Sequence, residues 1–242
     1  MKQFLVLTLL IGLLVGSSAS AQSFSLDFGE SGSVTATTLQ LIALVTVLSI
    51  APGIVITVTC FPFIITVLSI LRQAIGLQQS PPNMLIVSIA LFLTFFVMEP
   101  VLLDAWALGI DPLLNDELGT EEAFERGFQP FRVFMAAQVD PDTFAILGQL
   151  RSDLILEPPN ADTPLSILVS SFLLSELSRA FQVGFMIFLP FLIIDLVVAA
   201  VLMSMGMMMV PPAIVSLPFK LAFFVVANGW ALVAQSLVRS YQ

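Results

Sequence analysis

The sequence predicts an all-α, membrane-associated protein of helical hairpins with Pro-broken helices: about four apolar helical blocks plus one helical polar region. Three observations predict it: long stretches without charge, prolines set inside those stretches, and acid concentrated in one segment. The chain is 58% hydrophobic and only 10% charged, where a soluble domain carries about 25% charged residues. No Asp, Glu, Lys or Arg occurs between Glu30 and Arg72, Arg72 and Glu99, Asp195 and Lys220, or Lys220 and Arg239. Each gap is near or above the roughly 20 apolar residues that cross a bilayer.

The elements follow in order. Residues 1–21 read as a signal peptide. Lys2 is a minimal basic n-region, Phe4 to Val15 an apolar run, and Ala19-Ser20-Ala21 a small-residue cleavage site. The short run and the small residues favour cleavage over an uncleaved first membrane helix. Residues 22–38 are rich in Ser, Gly and Thr and read as a flexible arm. The first apolar pair, residues 39–103, holds a block from Leu39 to Leu71 and a second from Met84 to Leu103. Pro52-Gly53 and Pro62 interrupt the first block, because proline removes a helix hydrogen bond and kinks the axis. In lipid such breaks survive only where protein or water satisfies the freed backbone groups, so this block is expected to pack inside an assembly.

Between the two blocks, Arg72 to Asn83 forms a polar turn with one Arg and no acid. Residues 104–163 form the acidic helical region, with 12 of the 17 acids against Arg126, Arg132 and Arg151. The positive-inside rule puts the Arg72 loop in the cytoplasm and the acidic region in the periplasm. Residues 164–242 read as an apolar hairpin: Leu165 to Met203, a Met-Pro turn, then Ala213 to Val238.

Inside that hairpin, charges are informative because each costs roughly 2.5 kcal/mol or more at mid-bilayer. The midpoint between Asp195 and Lys220 falls at Met207-Met208. In an antiparallel hairpin each charge lies about 18 Å from the turn, so the two sit at one depth and can pair. Such a pair orients the hairpin; a proton relay is the alternative, and one carboxylate beside a Lys, with no His, makes a poor one. Glu176 and Arg179 are three apart and share a helix face. Met207, Met208 and Met209 cannot all face one helix stripe. Thioether side chains fill changing surfaces, and apolar constrictions gate by dewetting. A pore seal and a buried hairpin tip both remain open readings of this turn.

Several classes are disfavoured. With no His, the chain lacks the commonest general base and the usual zinc ligand; neither catalysis nor a metal or cofactor is expected. An acidic balance of -9 does not suit a nucleic-acid surface. Cys60 is the single cysteine and forms no internal disulfide. A small-solute or ion transporter using Asp195, Glu176 or Glu99 is a competing class, but the repeated broken halves of many transporters are missing.

One family brings these residues together. Ser175-Glu176-Leu177, Ala180-Phe181-Gln182-Val183-Gly184-Phe185 and Phe188-Leu189-Pro190-Phe191-Leu192-Ile193-Ile194-Asp195 resemble the FliP family of flagellar export-gate subunits. So do Gly206-Met207-Met208-Met209-Val210-Pro211-Pro212, Leu217-Pro218-Phe219-Lys220 and, upstream, Leu71-Arg72-Gln73-Ala74-Ile75-Gly76 and Ala90 to Phe96. Related virulence-injectisome subunits share much of this; Val210-Pro211-Pro212 and Ala180-Phe181-Gln182 tilt toward the flagellar branch. The resemblance implies five copies assembled with FliQ-like and FliR-like subunits around a channel in the inner membrane, within the flagellar basal body, beside FlhA-like and FlhB-like components. It implies that the methionine turn is a gasket and that unfolded axial proteins cross, energised by the proton motive force and a separate ATPase. The chain departs from the family pattern at Cys60-Phe61-Pro62-Phe63-Ile64, where a basic residue is usual.

Overall fold

The computed structural model describes residues 34–77, 80–150, 158–207 and 209–241. The signal-peptide segment, residues 22–33 of the arm, and Met208 lie outside the described residues. The chain divides into two compact units, residues 1–49 and 50–242. Every described regular element is helical.

Helix α1 (Val34–Thr57) begins inside the stretch read as an arm. Its Thr38–Thr57 portion is 20 residues long and apolar enough to cross a membrane. The backbone stays helical through Pro52, and the interruption falls later, at Val58–Cys60.

Helix α2 (Phe61–Ile75) is the centre of the second unit. Pro62 sits in its first turn, where the missing N–H had no partner to lose. Gly76 ends it in the left-handed conformation (φ 89°), its N–H bonded to the Gln73 carbonyl. Phe63, Ile64, Val67, Leu68, Leu71, Ala74 and Ile75 are all buried, a stripe at helical spacing. That stripe packs against α3, α7 and α8. At Gly184 on α7, an added Cβ would stand 2.4 Å from Ile70 Cδ1, so the Ile70 side chain packs directly over the bare backbone there.

Helix α3 (Asn83–Ala105) continues without a break through a π-helical turn (Trp106–Ile110) into α4 (Asp111–Leu114). Asn83–Leu114 is thus one apolar rod of 32 residues. The expected end at Leu103 moves onward by three turns because Asp104 and Asp111 ride on its exposed side. Helices α5 (Thr120–Gln138) and α6 (Pro141–Gln149) form the acidic region. They pack a smaller core of Met135, Val139 and Phe144 against Ile167, Leu168 and Phe172. A Cβ at Gly109 would lie 2.6 Å from Gly127 Cα and 2.7 Å from the Ala123 carbonyl oxygen, so only glycine lets the π turn meet α5. Arg132 ties the far end of this region by donating to the carbonyls of Ala161 and Thr163.

Helix α7 (Leu165–Ser204) is 40 residues long and passes Pro190 unbroken. After the methionine turn come α8 (Pro212–Val226) and α9 (Gly229–Arg239), bent by 62° at their junction. The final block is therefore a bent pair rather than one straight helix. Asn228 takes the left-handed conformation (φ 50°) at the break, and the Phe224 ring fills the space where a Gly229 side chain would stand. Pro100, Pro130, Pro190 and Pro218 all lie within helices.

Candidate functional site

The turn between α7 and α8 is built by a backbone motif. Gly206 adopts φ 76°. Met207 N–H bonds to the Leu202 carbonyl and Gly206 N–H to the Met203 carbonyl, both at 3.0 Å. This is the Schellman pattern, in which a left-handed glycine lets the last helix carbonyls find donors. The chain then leaves the helix axis, and Pro211 and Pro212 start α8 with no N–H to waste. Met209 is 97% exposed and Met207 42%, so two thioethers stand clear of the chain's own core. Met208 is outside the described residues. Met207 also closes one end of an apolar groove of about 560 Å³ between α7 and α8, reaching back to Ile193 and Phe219.

Two polar clusters support the hairpin. In the first, Lys220 Nζ lies 2.6 Å from Asp195 Oδ2 and donates to the Ala74 carbonyl at 3.1 Å. Ser216 Oγ donates to Asp195 Oδ1 at 2.6 Å. Both carboxylate oxygens are thereby engaged. The Lys220 side chain is 7% exposed and that of Asp195 39%. Ala74 belongs to the last turn of α2, where helix carbonyls lack an intrahelical donor and a cation is favoured. One ammonium thus ties α2, α7 and α8 together.

The second cluster surrounds Glu176, which is fully buried. Arg179 Nη2 lies 2.9 Å from its Oε1, an ion contact that lies off the line of a hydrogen bond. The Tyr241 hydroxyl donates to Oε2, and Arg179 Nη1 donates to Gln138 Oε1 at 2.7 Å. The guanidinium lies over the faces of both Phe63 (4.7 Å) and Tyr241 (4.5 Å), a cation–π arrangement of about 0.5–2 kcal/mol. Phe63, at the position departing from the family pattern, thus faces a cation across its ring. This cluster joins α2, α5, α7 and the chain's C-terminal end.

Sequence reasoning singled out Asp195, Lys220, Glu176 and Arg179 and missed Ser216, Tyr241, Gln138 and Phe63. Ser216 had a local signal, lying one helical turn before Lys220. Tyr241 had none, being 65 residues from Glu176. Among the described residues, no group of three or more His, Cys, Asp or Glu is placed to hold a metal ion.

Comparison with known proteins bears on the whole of this geometry. The FliP family model matches residues 44–237. The chain is 50% identical over 239 residues to a flagellar biosynthetic protein FliP of Caulobacter vibrioides, covering 98% of this chain and 89% of that protein. It is 44% identical over 247 residues to one of Agrobacterium fabrum, covering 100% of both chains. A Bacillus subtilis protein of the same description is 44% identical over 206 residues, covering 84% of this chain and 92% of its own.

Proposed function

Because this chain belongs to the FliP family, we propose that it is the pore-forming subunit of a flagellar type III export gate, through which unfolded axial proteins leave the cytoplasm. The observation that carries the reading is the methionine turn. Its thioethers are displayed to the outside at the tip of a hairpin whose two arms are held together by a charged contact. Flexible, polarizable side chains suit a seal that must close on nothing and yield to any sequence. A ring of such tips needs several copies, and five is the number the family resemblance implies. FliQ-like and FliR-like subunits would complete the ring, with FlhA-like and FlhB-like components beside it.

The assembly belongs to the inner membrane. The acidic α5–α6 region stands on the periplasmic side and the Arg72 turn on the cytoplasmic side. The leader over residues 1–21 directs insertion. The Asp195–Lys220 contact fixes the hairpin and takes no part in proton transfer. Both carboxylate oxygens already hold donors, which also weighs against an ion-transport site there. Catalysis has no role in this reading.

The test is permeability. Replacing Met207, Met208 and Met209 together by Ala should let small solutes and ions leak through the membrane while protein export partly survives. Unchanged permeability, with the variant assembled normally, would sink the seal.

A further inference from the structure

The acidic region carries a surface that nothing in the export reading uses. Phe124, Phe128 and Phe131 stack along one face of α5, with ring centroids 6.0 and 5.8 Å apart. Phe124 is 72% exposed, on a helix outside the long apolar rods. The stack borders a groove of about 850 Å³ whose walls include Glu121, Glu125, Asp162 and Leu165. Glu121 and Glu125 stand one helical turn apart, and Phe124 and Phe128 form the adjoining row at the same spacing. Arg132 also lines the groove, but its guanidinium is held by the Ala161 and Thr163 carbonyls. Arg126, nearby, pairs with Glu122 at 2.6 Å.

We propose that this groove docks a Lys- or Arg-bearing amphipathic segment of a different protein, its apolar side chains on the Phe124–Phe128 row and its cations against Glu121, Glu125 and Asp162. Charge complementarity selects that occupant. Aromatic faces add cation–π attraction to the carboxylates, so the two rows favour the same class of side chain. A second copy of this chain is a poor occupant. Among the described residues, Arg179 and Lys220 are buried in ion contacts and Arg72 donates to Asn83. Of the described cations only Arg239 is both exposed and outside such contacts, a single charge against three carboxylates. The inference is independent of the channel reading.

The test uses the full chain in nanodiscs of zwitterionic lipid. The probe is a labelled synthetic amphipathic helix of Leu, Trp and Lys, compared with the same helix carrying Glu for Lys. The Lys peptide should bind, weaken as salt rises, and lose about tenfold in affinity on Phe124→Ser and on the joint change Glu121→Gln with Glu125→Gln. Both sets of changes are on exposed positions, and unchanged helix content of the variants keeps the comparison sound. Equal binding of the Lys and Glu peptides, or binding indifferent to these substitutions, overturns the proposal. So does a photo-crosslinker at position 124 that joins the chain to a second copy of itself in cells.

Discussion

At the scale of single residues, Lys220 carries the most consequence. It is nearly buried, and its two acceptors come from different helices. Asp195→Ala would leave that ammonium with one carbonyl. The expected loss is about 2 kcal/mol, below the figure for a fully buried pair because Asp195 is partly exposed. Adding Lys220→Ala should restore part of it, so that the double variant melts above the sum of the single losses. Strict additivity in thermal unfolding of the solubilised protein would show that the two charges are not coupled.

Asp140 gives a pH prediction at the same scale. Its carboxylate accepts from the Thr143 hydroxyl and backbone N–H, which hold its pKa below the usual carboxylate value, the hydroxyl being the larger cause. The unfolded chain then binds more protons than the folded one at acid pH. The stabilisation of α6 is therefore present above the ordinary carboxyl pKa of about 3.9 and fades as pH falls through the lowered one. Amide exchange at Thr143 should accelerate over that window, and Asp140→Ala should remove the pH dependence.

At the scale of elements, the tightest joints are glycine joints, and they differ in kind. At Gly109 an added methyl meets backbone atoms, while at Gly184 it meets the end of the Ile70 side chain. Gly109→Ala should therefore cost at least the 1–3 kcal/mol typical of overpacking, and Gly184→Ala less, since Ile70 can rotate. Limited proteolysis of the α4–α5 connection would reveal the difference; equal sensitivity of the two variants would refute it.

How much of these elements can be read from residues alone depends on the range of the cause. Long apolar runs mark α1, α3 and α7 because solvent acts on every residue locally. Counting outward from the turn puts Asp195 and Lys220 in register for the same reason. Proline misleads as a marker of breaks. One lost hydrogen bond is affordable inside a long helix, so Pro100 and Pro190 sit within α3 and α7. The sharp bend instead comes at Asn228, in a left-handed conformation with the Phe224 ring over Gly229; Asn-Gly is a turn signal that the apolar run around it masks. The Glu176 cluster is illegible for a similar reason. Its members come from four separate parts of the chain and meet only after the helices pack.

At the scale of the second unit as a whole, the C-terminal end is a closing element. Tyr241 touches the rings of Phe63 and Phe134 and the buried Glu176. Tyr241→Phe keeps the ring and removes one donor from a buried carboxylate, at an expected cost of about 1–3 kcal/mol. Ending the chain at Arg239 removes the ring as well. Hydrogen exchange should then rise together in α9 and in the first turns of α2, two segments far apart in sequence. Exchange rising in α9 alone would mean that the end of the chain closes nothing.

Helix α7 sets a condition on the cell itself. Its 40 residues at 1.5 Å each make a rod of about 60 Å, roughly twice the thickness of a hydrocarbon layer. In a single copy, Leu165, Leu174, Leu177, Phe185, Ile193, Val201 and Met203, spread over nearly its whole length, are all exposed. No bilayer can cover the whole of that length, so a solitary copy keeps greasy surface in water. Its survival then follows mass action, rising with the supply of whatever proteins cover the rod. Synthesis out of step with that supply feeds proteases and aggregates instead of assembly.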